Sequence, residues 1–397
     1  MINRWDLRKK IDKKYLLLSY IIFYISYYIS TQLTLHIPGR SILLIVAFFI
    51  GLYILLIYKK FTTYQYWTFG IIGLLIIASY IYSGLSDSRL LVLYFTGIVF
   101  YKEDIKNIIR DMLIVRVILV LIAIILGGFY HPNLFGINIG YILILYMCLN
   151  DSRFNYKKTS IILFITLLTF IVNPLNLTFP LIIVIALILQ ALRTVKWGRK
   201  ILLSKPVMFI YPILLIINFF LITCMSQEGV PGIGKFLPNS INNGVVSIAW
   251  LVNKFLSHRL ALAKTAFERL GIPFIGNAKA REAYTNLLAE YKNNNTYFVV
   301  DSGYSLLLLL WGIVVTILIM VCTIYVMRYF INKEAYNFVI AGIVLALWPI
   351  LEDILFNDFL LTFWATAIGT YLFPKIKEQK KKMELRKKNG QHNSSCI

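Results

Sequence analysis

The chain has 397 residues, of which 59% are hydrophobic, 15% aromatic and only 15% charged, and its mean hydropathy is +0.74. A soluble domain carries roughly 25% charged residues, so this composition excludes an ordinary soluble protein and predicts an integral membrane protein. The formal net charge of +22 would fit nucleic-acid binding. The basic residues, however, lie in short clusters between long apolar runs, which is the pattern of a chain oriented across a membrane. We therefore expect no nucleic-acid partner.

Apolar runs that could form transmembrane helices recur through most of the chain. A helix needs about 20 apolar residues to cross the hydrocarbon, and several runs are shorter than that. Ten to twelve helices fit, and twelve is favoured. The runs are 15–36, 41–58, 66–83, 88–101, 112–130, 136–149, 159–172, 177–192, 207–225, 303–327, 336–351 and 357–373.

The distribution of Lys and Arg predicts the orientation. If the N-terminus is cytoplasmic, the inside segments hold 29 Lys/Arg and the short outside loops hold only Arg40 and Arg89, so both termini are predicted inside. Arg116, about one turn into its span, is expected to reach the cytoplasmic surface by snorkelling. The predicted regions are nine helices in 1–225, a large outer loop in 226–302, three helices in 303–373 and a basic cytoplasmic tail in 374–397.

The outer loop contains a predicted helix with an arginine on its apolar face. Residues 241–270 read as one helix that ends at Gly271 and Pro273. At helical spacing, Arg259 falls among apolar residues, whereas the adjacent His258 falls on a more polar face. A guanidinium held against apolar surface is costly unless it meets an anion. Two interpretations stay open: Arg259 binds an anionic substrate, or it snorkels or pairs with a carboxylate of the loop.

The loop returns to the membrane through a second predicted helix over 279–291, with Arg281 in its first turn, and then through Asp301. Asp301 stands at the N-terminal end of the next apolar span. Asp is a preferred N-cap residue, so one interpretation of Asp301 is structural. The other is a carboxylate that acts at the membrane surface, where ionisable side chains are usually functional.

Further polar residues cluster near the predicted outer surface. Arg40 follows a Pro-Gly turn, and Arg89 stands with Asp87 at the start of the short span 88–101. These residues are either functional or belong to solvated turns and loop ion pairs. A similar group on the last helical hairpin comprises Glu352, Asp353, Asn357 and Asp358.

Several common catalytic signatures are absent from the sequence. It contains no GxGxxG or GxxxxGK[ST] phosphate loop, no HExxH and no G-x-S-x-G. The outer loop holds no D-x-D, and the four cysteines lack C-x-x-C spacing. We therefore expect neither a metal nor another cofactor.

On these residues the chain resembles the Wzy-type polysaccharide polymerases, bacterial membrane proteins of the O-antigen polymerase and ligase family. The predicted topology, with one large outer loop late in the chain, is similar along its whole length. The stretches SHRL at 257–260 and GIPFIG at 271–276 look like the family's arginine helix and short glycine segment. VDSGY at 300–304, followed by Gly312, looks like an element that many relatives write as His-Asn or Asp-Asn, then Tyr, then Gly. Here Asp301 takes the position often held by His, and Ser302 replaces the Asn. Glu352 with Asn357 is similar to a Glu/Asn pair of some relatives.

The resemblance implies a GT-C-like, all-α membrane glycosyltransferase on the outer face of the cytoplasmic membrane. It would transfer a growing glycan from polyprenyl diphosphate to a hydroxyl of a lipid-linked repeat unit, without a cofactor. Arg259, Asp301 and Glu352 are the implied catalytic residues. The implied partners are the polyprenyl-diphosphate-linked oligosaccharide, membrane lipid, and the flippase and chain-length regulator of the same pathway. The implied substrate-binding residues are Arg40, Arg89, His258, Arg281, Tyr304 and Asn357.

Two alternatives stay open. A ligase of the same superfamily would move the finished glycan to another acceptor. A flippase or transporter would use charged residues inside the bundle as its substrate path. The sequence shows no paired halves with matching broken helices, which transporters often have, and the large late loop also argues against transport.

Overall fold

The computed structural model describes part of the chain, and within that part every regular element is helical, with no β-strand. This confirms the all-α prediction for these residues. Predicted spans before residue 105 and after residue 351 lie outside them. The described residues are 105–125, 132–149, 156–172, 178–225, 239–256, 258–276, 282–284, 286–287, 289–290, 300 and 302–351.

Two of the connections between helices are themselves helical turns. A 3₁₀ turn, Lys205–Phe209, joins α5 to α6, and a π-helical turn, Leu307–Trp311, joins α9 to α10. Helical residues between 282 and 290 fall inside the helix predicted at 279–291. The helices are α1 (Ile105–Ile125), α2 (Pro132–Leu149), α3 (Tyr156–Val172), α4 (Thr178–Leu192), α5 (Lys196–Leu202), α6 (Ile210–Thr223), α7 (Asn239–Phe255), α8 (Arg259–Leu270), α9 (Gly303–Leu306), α10 (Gly312–Asn332) and α11 (Tyr336–Leu351).

The chain divides into two compact units, and α1 is the described element of the first. That unit comprises Met1–Thr62, Val92–Tyr130 and Thr362–Ile397. Arg116 is only 2% exposed, which corrects the expectation that it snorkels to the surface. The physical reason is its position, because α1 begins at Ile105 and Arg116 therefore lies about three turns into the helix.

The second unit comprises Thr63–Leu91 and His131–Leu361, and it is built around α11. This helix contacts α2, α4, α6, α9 and α10, and nearly all of its side chains are buried. A helix that is apolar on every side lies in a protein core or in a membrane, and here other helices surround it. Near its start, the Asn337 Oδ1 accepts hydrogen bonds from Arg193 (2.6 Å) and Gln190 (3.1 Å) of the α4 end.

Two helical stretches of the second unit are long and apolar enough to cross a membrane: Lys196–Thr223, with 28 residues, and Gly303–Asn332, with 30. Both exceed the length of about 20 residues that the hydrocarbon requires. Each exposes large apolar side chains, such as Ile216 on α6 and Ile317 on α10. Lipid is the solvent that suits such faces, so the structure agrees with a membrane location.

Candidate functional site

Arg259 occupies the first position of α8, not the middle of a longer helix. The prediction of one continuous helix over 241–270 is therefore wrong, because α7 ends at Phe255 and α8 starts anew at Arg259. Between them the backbone of His258 adopts the left-handed conformation, with φ of 65°. His tolerates this conformation better than most side chains do.

The break between α7 and α8 is held by Asn253, a buried residue of α7. Its side-chain Oδ1 accepts the N–H of Ala261 at 3.1 Å, and its backbone carbonyl accepts the N–H of His258 at 2.8 Å. Asn253 thus caps the first turn of α8 from outside that helix, where four N–H groups need acceptors. Sequence reasoning missed this residue because helix-capping patterns are local, and Asn253 lies eight positions before the Ala261 N–H that donates to it.

Arg259 lies at the N-terminal end of α8, beside buried residues of the same helix. Arg259 is half-buried and lies one and two turns before the buried Ala263 and Ala266, on the same face of α8. A helix N-terminus carries a partial positive charge, and the first turn of α8 contains no acidic residue that would balance it. An anion at this end would meet the guanidinium and the helix dipole together. The exposed His258 stands beside it.

The glycine segment, residues 271–276, follows α8 and joins it to the interruption between α9 and α10. The N–H of Gly276 donates to the Trp311 carbonyl at 2.9 Å. In return, the carbonyls of Pro273 and Phe274 accept the N–H groups of Ile313 and Val314, both at 3.1 Å. These three bonds satisfy backbone groups that the break in the helix would otherwise leave unpaired.

Two glycines permit this close backbone contact. A Cβ on Gly276 would stand 2.2 Å from the Leu310 carbonyl oxygen, and one on Gly312 would stand 2.6 Å from the Pro273 carbonyl oxygen. Gly312 also has φ of 77° and ψ of 179°, a conformation that is essentially restricted to glycine. The two sequence motifs that contain these residues, far apart in the chain, therefore meet in the structure.

A buried polar cluster ties α6, α9 and α11 together beside this contact. Asn218 of α6 donates to the Ser305 hydroxyl at 3.1 Å. The Ser302 hydroxyl lies 3.5 Å from the Asn218 Oδ1 and 3.4 Å from the Pro349 carbonyl. Asn218 was missed by sequence reasoning, although a single amide in a run of apolar residues was the available signal.

Tyr304, a predicted substrate-binding residue, is fully buried, and its hydroxyl donates to the Ala346 carbonyl at 2.7 Å. This hydrogen bond joins α9 to α11. Of the other predicted site residues, the structure describes Arg259 and His258. Those that lie outside the described residues are Arg40, Arg89, Arg281, Asp301, Glu352 and Asn357.

The capping interpretation of Asp301 can be tested on its neighbour. Ser302 is the N-cap of α9, and its hydroxyl accepts the N–H of Ser305 at 3.5 Å. The capping position that the sequence offered to Asp301 is therefore filled by Ser302. Among the described residues, no group of three His, Cys, Asp or Glu side chains converges on a possible metal position.

Comparison of the chain with protein-family models, with curated proteins and with solved structures gives no match. The resemblance to the polymerases therefore depends on the sequence motifs and the predicted topology. What the structure adds is their arrangement: Arg259 begins the helix that leads into the glycine segment, and that segment packs on the Gly312 break.

Proposed function

We propose that this protein is a polysaccharide repeat-unit polymerase, a multi-pass membrane protein with about twelve spans and both termini in the cytoplasm. It transfers a growing glycan from polyprenyl diphosphate to the acceptor hydroxyl of a lipid-linked repeat unit, on the outer face of the membrane and without a metal. The observation that carries the proposal is the arrangement of two motifs: Arg259 begins the helix that leads into the glycine segment, and that segment is hydrogen-bonded to the break at Gly312.

Arg259 suits the diphosphate leaving group. Its planar guanidinium can donate two parallel hydrogen bonds to phosphate oxygens, and the helix N-terminus adds a partial positive charge. In the proposed step, the acceptor oxygen forms a bond to the anomeric carbon while the bond from that carbon to the diphosphate oxygen breaks. The diphosphate leaves with the electron pair, and Arg259 stabilises the charge that develops on it.

Asp301 and Glu352 are the proposed acceptors of the hydroxyl proton. Asp301 immediately precedes Ser302, and Glu352 follows Pro349 by three residues. Ser302 and Pro349 themselves are in contact, at 3.4 Å between the hydroxyl and the carbonyl oxygen. This contact joins described residues that are close in sequence to the two proposed proton acceptors.

The broken helix at Gly312 favours an enzyme over a transporter. Discontinuous helices in transporters direct the N–H groups of a half-helix at the substrate. Here the N–H groups of Ile313 and Val314 are taken by carbonyls of the glycine segment. The break therefore joins two parts of the fold and does not offer these two donors to an ion.

The decisive experiment incubates purified protein in lipid nanodiscs with a lipid-linked repeat unit, EDTA and no nucleotide sugar. We expect a ladder of glycan products on polyprenyl diphosphate, and no ladder with the Arg259→Ala variant. Unchanged substrate with the unaltered protein would reject polymerisation. A single product that forms only after a second class of acceptor is added would identify a ligase, and recovery of the ladder only with a divalent ion would contradict the metal-free reaction.

A further inference from the structure

The glycine segment is attached to its neighbouring helix well inside an uncharged stretch. Residues 303–327 contain no charged side chain, and the first charge after them is Arg328. Gly312 lies 16 residues before Arg328, which corresponds to about 24 Å of helix rise. The hydrocarbon of a bilayer is about 30 Å thick. Gly312 and the segment bonded to it therefore fall within the hydrocarbon, near its edge on the loop side.

Two large apolar side chains of the glycine segment point away from the protein at this depth. Phe274 is 70% exposed and Ile275 is 42% exposed. The carbonyl of Phe274 is bonded to Val314, whose own side chain is also exposed. The exposed apolar surface continues along α10 through Ile317, so the segment extends the outward face of that helix.

We infer that the glycine segment is a re-entrant membrane anchor, whose Phe274 and Ile275 side chains insert among the acyl chains of the leaflet at the loop end. Irregular backbone is tolerated at this depth only when its polar groups are satisfied by protein. The three hydrogen bonds to Trp311, Ile313 and Val314 provide this. The anchor fixes the C-terminal end of α8 at the membrane surface, whichever reaction the protein catalyses.

Site-directed spin labelling tests the depth of the anchor in liposomes. Single cysteines replace Phe274, the exposed Ile317 of α10 or the exposed helical residue Asn286 in a chain whose native cysteines are changed to alanine. We expect collisions with oxygen to dominate over collisions with a water-soluble nickel chelate at positions 274 and 317, and the reverse at 286. Water-type behaviour at 274 would overturn the inference, whether or not 317 reports lipid.

A second measurement keeps the native cysteines and compares melting temperatures in lipid nanodiscs. Phe274→Asp places a charge at lipid depth and should lower the melting temperature by several degrees, because a charge in hydrocarbon is costly. Phe274→Leu, which stays apolar, and Asn286→Asp, on the water-exposed side, should leave it unchanged. Equal melting temperatures for Phe274→Asp and Asn286→Asp would contradict a membrane anchor.

Discussion

The positively charged guanidinium of Arg259 stands at the N-terminus of α8, where the helix dipole adds a partial positive charge. This arrangement does not stabilise the helix, since cations are favoured at helix C-termini. In the proposed function, the negative diphosphate of the substrate binds at this position, where it would meet both the guanidinium and the helix N-terminus.

The first prediction concerns this residue. Arg259→Ala should abolish polymer formation, and Arg259→Lys should reduce it strongly, because lysine keeps the charge and loses the planar pair of donors. Protein level and melting temperature should stay near those of the unaltered chain. The measurement is polymer yield per amount of membrane-inserted protein.

The matched control is the neighbour, His258. Asn tolerates positive φ as His does, so His258→Asn removes the imidazole without straining the backbone at this position. We expect a mild effect on polymer yield. Unaltered yield from Arg259→Ala would remove Arg259 from the site.

The second prediction concerns Asp301. Because Ser302 fills the N-cap of α9, Asp301→Asn should leave the melting temperature unchanged. It should lower turnover, since an amide cannot accept the proton of the acceptor hydroxyl. Polymer yield and melting temperature are measured on the same preparation. Full yield at an unchanged melting temperature would exclude a role as base and leave Glu352 as the candidate.

At the scale of elements, the break between α7 and α8 depends on one amide. Asn253→Ala removes the acceptor of the Ala261 N–H, and loss of a helix cap costs about 1 kcal/mol of unfolding free energy. The third prediction is a lower melting temperature together with reduced polymer yield. Asn253→Asp retains an acceptor oxygen and should restore most of both. Equal behaviour of the two variants would argue against the cap.

Two alanine variants of the glycine segment distinguish a steric clash from backbone strain. Gly276→Ala introduces a clash with the Leu310 carbonyl at negative φ, whereas Gly271→Ala meets no atom within 4 Å but stands at φ of 68°. The fourth prediction is a large loss of stability for Gly276→Ala and a smaller one, about 1–3 kcal/mol, for Gly271→Ala.

Gly244 in α7 supplies the control for these alanine variants. An added Cβ there meets no atom within 4 Å, and replacing an exposed helical glycine by alanine usually gains about 0.8–1.0 kcal/mol. Gly244→Ala should therefore leave the melting temperature unchanged or raise it. A Gly276→Ala variant as stable as Gly244→Ala would show that the close backbone contact does not form.

The sequence predicted these elements unevenly. The length of the apolar run predicted the helix that contains α10, because hydropathy depends only on which residues follow one another in the sequence. It did not reveal the interruption at Gly312 or the end of α7, because both depend on partners distant in sequence: the glycine segment for the first and the Asn253 side chain for the second. Gly276 and Gly312 were recognised as parts of motifs, but only the structure explains why both must lack a side chain.

At the scale of the whole molecule, orientation follows from charge. The fifth prediction is that residues 226–302 are external and both termini cytoplasmic. A cysteine at Asn294, in a chain without native cysteines, should react with a membrane-impermeant thiol reagent in intact cells, and one at Gly390 should not. The opposite labelling pattern would reverse the orientation and move the proposed reaction to the other face.

Polar residues within the bundle show where sequence reasoning is weakest. Arg116 was expected at the surface and is buried, and Asn337 was not recognised although it receives bonds from Arg193 and Gln190. The reason is common to both. Hydropathy determines that a segment crosses the bilayer, but the direction a polar side chain takes depends on which helices pack around it.

The exchange of backbone bonds between the glycine segment and the Gly312 break has a consequence for biosynthesis. The segment precedes the break in the chain, so during synthesis it emerges from the ribosome before Ile313 and Val314. By the time the N–H groups of Ile313 and Val314 are synthesised, the carbonyls of Pro273 and Phe274 that accept their hydrogen bonds are already present. The order of the two motifs along the gene thus makes the acceptor carbonyls available before the N–H groups of the interruption are synthesised.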